Sequence, residues 1–198
     1  MGLVFTVGLD PDDADEEVYE WLAGDIAASN AVLKSLGYSE YVTPASWVPP
    51  REEFQLVSGG VPYDWLHELR AVYARVHALA GENDQDAITR LTKTSASHLL
   101  DHADNEDMYL PVDFEHPLTV PDIRAVVGSS QRLVAELISV SPALGMQIDS
   151  DGRIAAASLD SLVDNPDSVP LGGARECWAQ LYDSARVSVS SGLPLIFQ

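Results

Sequence analysis

The stretch His98-Leu99-Leu100-Asp101-His102 holds the residue types and spacing best suited to chemistry. On an α-helix, residues four apart share a face, so imidazoles at 98 and 102 could grip one metal ion. The order matches the metal-binding pattern H-x-x-E-H with aspartate in the glutamate's place. Asp104, Glu106, Asp107, Asp113 and His116 follow closely and offer a third ligand or a base. The chemistry would be metal-assisted hydrolysis, in which the ion lowers the pKa of its bound water. Two features weigh against this. Asp101 is a methylene shorter than Glu, and no downstream ligand stands out. Two histidines on one helix face also describe a hydrogen-bonded polar patch. The cluster therefore reads either as a divalent-metal site of His98, His102 and Asp104 or as a structural feature.

Other motifs fall away on inspection. Asp149-Ser150-Asp151-Gly152 resembles the middle of a calcium loop. With Gly152 at position six, however, Gln147 and Ser158 stand where acids are required, so the segment reads as a turn. Ser58-Gly59-Gly60 and Gly172-Gly173 lack the lysine and spacing of phosphate loops. Gly128-Ser129-Ser130 lacks the flanks of a nucleophile elbow. Cys177 lies on an apolar helical stripe and reads as core. Tyr38, Tyr41, Trp47, Phe54 and Tyr63 sit in or beside a proline-rich stretch, where they would either line a ligand groove or pin that stretch to the body.

The charge is the strongest global signal. The chain has 198 residues, 31 acids and 11 bases, for a formal net charge of −20. Phosphate neutralisation needs a basic face, so the expectation is no nucleic-acid partner. An anionic membrane surface is disfavoured on the same ground. A basic protein, a metal cation or a cationic ligand suits such a field. Two lysines beside nine arginines, with abundant Asp, Ala and Val, also fit an organism whose proteins are acidic throughout. One cysteine precludes an internal disulfide and fits a reducing cytoplasm. The opening residues lack a basic leader region, and no apolar run reaches the length of a membrane span.

The elements that must position these residues follow from periodicity. Alternation of Leu3, Phe5 and Val7 predicts a strand over 3–8. Helical spacing predicts helices at 14–36, 62–80, 121–140 and 174–191, with the stripe Cys177, Trp178, Leu181, Tyr182 and Ala185 the clearest. A weaker helix over 86–103 should break near Thr94, where Ser95 or Ser97 would cap a short helix carrying His98 and His102. Met108–Phe114 reads as a second strand, placed at a sheet edge by Pro111, and 193–197 as a third. The expected fold is an α/β (α+β) single domain over 1–198, with about five helices on a sheet of about three strands.

The segments GLVFTVG (2–8), VPYDWLHELRAVYARV (61–76), SHLLDHADNEDMYLPVDF (97–114) and GSSQRLVAEL (128–137), with the closing helix and strand, together resemble a family of uncharacterised bacterial, actinobacterial-type proteins. That resemblance implies a bacterial origin and one domain of this length, and it carries no mechanism. In the family's central motif His98, His102, Asp104 and Asp113 match, whereas Asp101 and Asn105 fall at variable places. This favours a binding site built from His102, Asp104, Tyr109 and Asp113 over an inverted-zincin arrangement. No complete catalytic set is visible. The leading expectation is a non-enzymatic acidic protein binding a basic partner, as an immunity or antitoxin-like protein would. The rival is a metal-dependent hydrolase or small-ligand binder using His98, His102, Asp104 and Asp113.

Overall fold

A computed structural model describes residues 2–9, 16–56, 60–94, 97–101, 108–121, 123, 125–162 and 165–197. Strand β1 (Gly2–Val7) points Leu3, Phe5 and Val7 into the interior while Val4 stays exposed, as its period-two pattern requires. It pairs antiparallel with β2 (Gly60–Pro62) on one side and β6 (Leu195–Phe197) on the other. β6 continues to β3 (Met108–Leu110), which runs parallel to β5 (Ala125–Ser129). β5 in turn pairs antiparallel with β4 (Leu118–Val120). The order is β2-β1-β6-β3-β5-β4.

Alternation divides the interior in two. Leu3, Phe5, Val7, Tyr109, Leu195 and Phe197 face α2 (Tyr63–Val76), α4 (Ser130–Val140) and α6 (Gly172–Ser191), while α3 (Asp84–Thr94) packs on α2. Met108, Leu110, Leu118, Val120, Val127 and Ile196 face the opposite way, onto Leu22, Ile26 and Leu33 of α1 (Glu16–Ser35). α6 is the centrepiece, buried from Gly172 to Ser188 on more than one face. Its indole Trp178 donates to the Leu137 carbonyl of α4, and Gly173 is where the Trp65 ring of α2 comes against its backbone.

The α/β class holds, but three strands were too few: the described residues form six. The predicted helix over 121–140 is in fact the end of a hairpin followed by α4, which starts only at Ser130. The apolar positions Ile123, Val126 and Val127 merged with the true stripe of Leu133, Leu137 and Val140, although β-branched residues favour strands. Gly128 belongs to β5, where the Tyr109 ring lies so close that a Cβ would sit 2.2 Å from Cδ1. Pro111 does not mark an edge strand. β3 is interior and stops at Leu110, so no ladder bond is asked of the proline. The 38–61 segment is strapped down by side chains: Asp183 accepts from the amides of Gln55 and Leu56 (2.7 and 3.0 Å). Gln55 pairs its own amide group with the backbone of Ile154. A four-residue helix, α5 (Ala156–Leu159), follows the Asp149 turn.

Candidate functional site

Of the sequence-predicted cluster, His98 and Asp101 lie on one turn, residues 97–101, between α3 and β3. It is a turn rather than the expected short helix, with Asp101 N–H reaching the Ser97 carbonyl at 3.0 Å. His98 is fully buried. Its Nδ1 accepts the Ser129 amide at 2.9 Å, which fixes the proton on Nε2; that nitrogen faces the Glu115 carbonyl at 3.3 Å. Desolvation, aided by Arg132 and His116, lowers its pKa to about 4, so the ring is neutral. Neither nitrogen is left for a metal ion. Its carbonyl accepts from the buried Tyr109 hydroxyl at 2.7 Å.

Asp113 lies apart, exposed and paired with Arg132 at 2.6 Å. It lines a shallow groove of about 440 Å³ with Glu40, Tyr41, Val112 and Gln131. His102 and Asp104 lie outside the described residues, as do Glu106 and Asp107. The structure thus joins His98 to Tyr109 through the backbone and leaves Asp113 at the surface. No group of three His, Cys, Asp or Glu among the described residues could hold a metal ion, so metal binding finds no support.

The residue that organises this turn is one the sequence reading missed. Glu136 of α4 accepts the His98 amide on Oε1 (2.8 Å), and the Leu99 amide (2.8 Å) and Ser97 hydroxyl (3.0 Å) on Oε2. Burial raises its pKa to about 7, outweighing those three hydrogen bonds, which favour the ionised form. Asp101 is raised to about 6, again by burial, and its Oδ1 is buried without a hydrogen bond. A signal existed: with Leu133, Leu137 and Val140, Glu136 completes an i, i+3, i+4, i+7 set, so a charged residue occupies a slot of the apolar stripe.

The aromatic residues of the 38–61 segment serve as anchors. The Tyr41 hydroxyl donates to the Gly192 carbonyl, Trp47 meets Tyr19 edge-on, and Tyr38 packs near Phe114. Cys177 is buried in the core, and burial pushes its thiol up to about 12, so it is inert as a nucleophile. The Asp149 segment is a turn whose carboxylate binds its own backbone at Asp151 and Arg153.

The second candidate site is the surface itself. Five of the eleven basic side chains are spent on acids of the same chain: Lys34–Glu40, Arg75–Asp84, Arg90–Glu82, Arg132–Asp113 and Arg186 with Asp183 and Glu53. Arg70, Arg153 and Arg175 bind the Leu99 carbonyl, the Glu53 carbonyl and the Ser161 hydroxyl. Glu16, Glu17 and Glu20 at the start of α1, with Asp64, Asp149 and Asp151, are exposed and have no ion pair among the described residues. Those eight basic side chains are engaged within the protein, although Lys34, Arg75 and Arg132 stay exposed to solvent. No helix among the described residues is long and apolar enough to cross a membrane.

Comparison with known families finds one match, over residues 1–197, to the family described as "Putative DNA-mimic protein". The chain belongs to that family. No curated protein and no solved structure matches it. The family corrects one expectation. Nucleic acid cannot be set aside in considering partners, because the description puts DNA at the centre of what such proteins imitate. The charge argument excluded binding to phosphates and overlooked resemblance to them.

Proposed function

We propose that this chain is a non-enzymatic DNA mimic that occupies the DNA-binding surface of a basic protein. The observation that carries the reading is the net charge of −20, with carboxylates such as Glu16, Glu17, Glu20 and Asp64 exposed on the surface. A domain of this length has a radius of gyration of about 16 Å and is about 40 Å across. A duplex of that length carries on the order of 24 phosphate charges. The total is comparable, so a partner evolved to neutralise one helical stretch meets a similar field here. Such a partner would associate fast at low salt and lose affinity steeply as salt rises. Within the cytoplasm, neutralising a basic DNA-binding effector in the manner of an immunity or antitoxin protein is the role this chemistry suits.

The test is competition. Host proteins retained on the immobilised chain at low salt are identified, purified and offered a fluorescent duplex with increasing amounts of the chain. Displacement of the duplex, with the logarithm of each affinity falling linearly in log salt, is the expected result. A captured protein that holds duplex and chain at once would exclude mimicry.

A further inference from the structure

Helix α1 turns Leu22, Ile26 and Leu33 into the second interior, and its outer face is unlike the rest of this acidic surface. From Trp21 to Leu33 the one charged residue is Asp25, and it is buried. Glu20, Gly24, Ala27, Ala31 and Lys34 are all exposed. Their intervals of four, three, four and three residues place them on one seam, the spacing by which two helices pack along their length. Trp21, 46% exposed, flanks that seam. A solvated helix face is ordinarily polar or charged, and the middle of this one is neither. Gly24 sharpens the point. Its φ is not left-handed, and a Cβ built on it would meet nothing within 4 Å. Glycine inside a helix costs stability relative to alanine, and its other use is to let a second backbone come close.

We propose that α1 is a self-association face, on which a second copy of this chain docks antiparallel about a two-fold axis at Ala27. Charge complementarity sets the occupant. The acids Glu16, Glu17 and Glu20 lie at one end of the helix and its one cation, Lys34, lies at the other. Glu20 and Lys34 are each seven residues from Ala27, so the antiparallel register brings Glu20 of each copy beside Lys34 of its partner, once at each end. Lys34 is 72% exposed, and its contact with Glu40 is a long one at 3.4 Å, which the new pair can replace. A basic partner would gain from the acids at one end and nothing from the neutral seam or from Lys34. Small side chains bring the two axes to the short end of the usual range of about 8–10 Å. The seam is only about 20 Å long, so the dimer belongs to the weak, transient class. Two chains of −20 repel, so added salt tightens it. The inference goes beyond the DNA-mimic reading and does not rest on it.

The experiment is sedimentation equilibrium of the purified chain alone, up to about 1 mM in about 0.15 M salt and again in about 0.5 M. A dimer that tightens with salt is the expected result. Gly24→Gln fits the free chain and favours the helix, so it should raise the thermal midpoint while abolishing the dimer. Glu20→Lys changes the net charge from −20 to −18, because an acid is exchanged for a base, and repulsion alone would then tighten the dimer. The seam predicts the reverse, a dimer weaker by about tenfold, regained in the double variant E20K/K34E. Circular dichroism confirms that each variant is folded. A chain that stays monomeric at the highest concentration overturns the proposal, as does a G24Q dimer of unchanged strength or an E20K dimer tighter than the parent's. No other protein is in the cell, so none of these outcomes touches the competition result.

Discussion

Replacing Asp183 by alanine should loosen the longest irregular segment of the first half without touching the exposed acidic surface. Asp183 is 1% exposed, on α6, and its Oδ2 is the sole acceptor the structure gives the amides of Gln55 and Leu56. Its Oδ1 accepts from Arg186 at 2.9 Å, and Arg186 also reaches Glu53 at the segment's short helical turn. Alanine would orphan two backbone donors at about 1–3 kcal/mol each and leave the Arg186 guanidinium to the carbonyl and carboxylate of Glu53. The buried-pair estimate for losing one member, about 3–5 kcal/mol, agrees. With a urea slope of about 2 kcal/mol/M, the midpoint should fall by about 2 M. Asparagine keeps one oxygen for the two amides but turns donors toward Arg186, and should cost about half as much. Urea unfolding followed by tryptophan fluorescence, with limited proteolysis across 48–56, measures both. If D183A costs under about 1 kcal/mol and leaves that stretch resistant, the strap is not what holds the segment, and the geometric reasoning fails.

Gly128→Ala places a methyl 2.2 Å from the Tyr109 ring in a fully buried strand pair. It should cost about 1–3 kcal/mol or more by overpacking, read as a lower thermal midpoint. His98→Gln removes a group held neutral well below its usual value. That group's stabilisation is complete above pH 6.5 and lost as pH falls towards 4. Urea midpoints at pH 5 and 7.5 should therefore converge more in the variant than in the parent. Raising salt from 0.05 to 0.5 M should stabilise the free chain by screening its self-repulsion and weaken its complex with a basic partner, opposite signs from one cause. Neutralising Glu16, Glu17 and Glu20 to glutamine should mimic part of that change at fixed salt.

What was legible in the sequence was what one element decides alone. β1 carries its own alternation, and α6 its own stripe, so both were found to within a residue or two. β4 and β5 were hidden because each is three to five residues long, and the meaning of their apolar positions depends on which strands lie beside them. Gly128 fell inside the predicted helix over 121–140, and only the closeness of the Tyr109 ring explains it. The site failed to show for the same reason. His98 is conspicuous as a letter, but its ring is spent on Ser129 and Glu115, 31 and 17 residues away. Glu136 was unremarked as a letter, because nothing local says that three donors of a distant turn converge on it.

Charge inverted the difficulty, since its total was plain and its meaning was not. A count of −20 excludes a phosphate-binding face and is equally what a phosphate-like face requires; the two inferences differ only in which side of a DNA-binding interface the chain is placed on. The family match favours the second placement. Arg186 is nearly buried against Asp183 and Arg90 is folded onto Glu82 and the His77 carbonyl, whereas Lys34, Arg75 and Arg132 stay exposed beside their acids. Exposed carboxylates lie on both sides of the sheet, those of Glu16, Glu17 and Glu20 on the α1 side and those of Asp64 and the Asp149 turn on the other, so the steering field is not confined to one face.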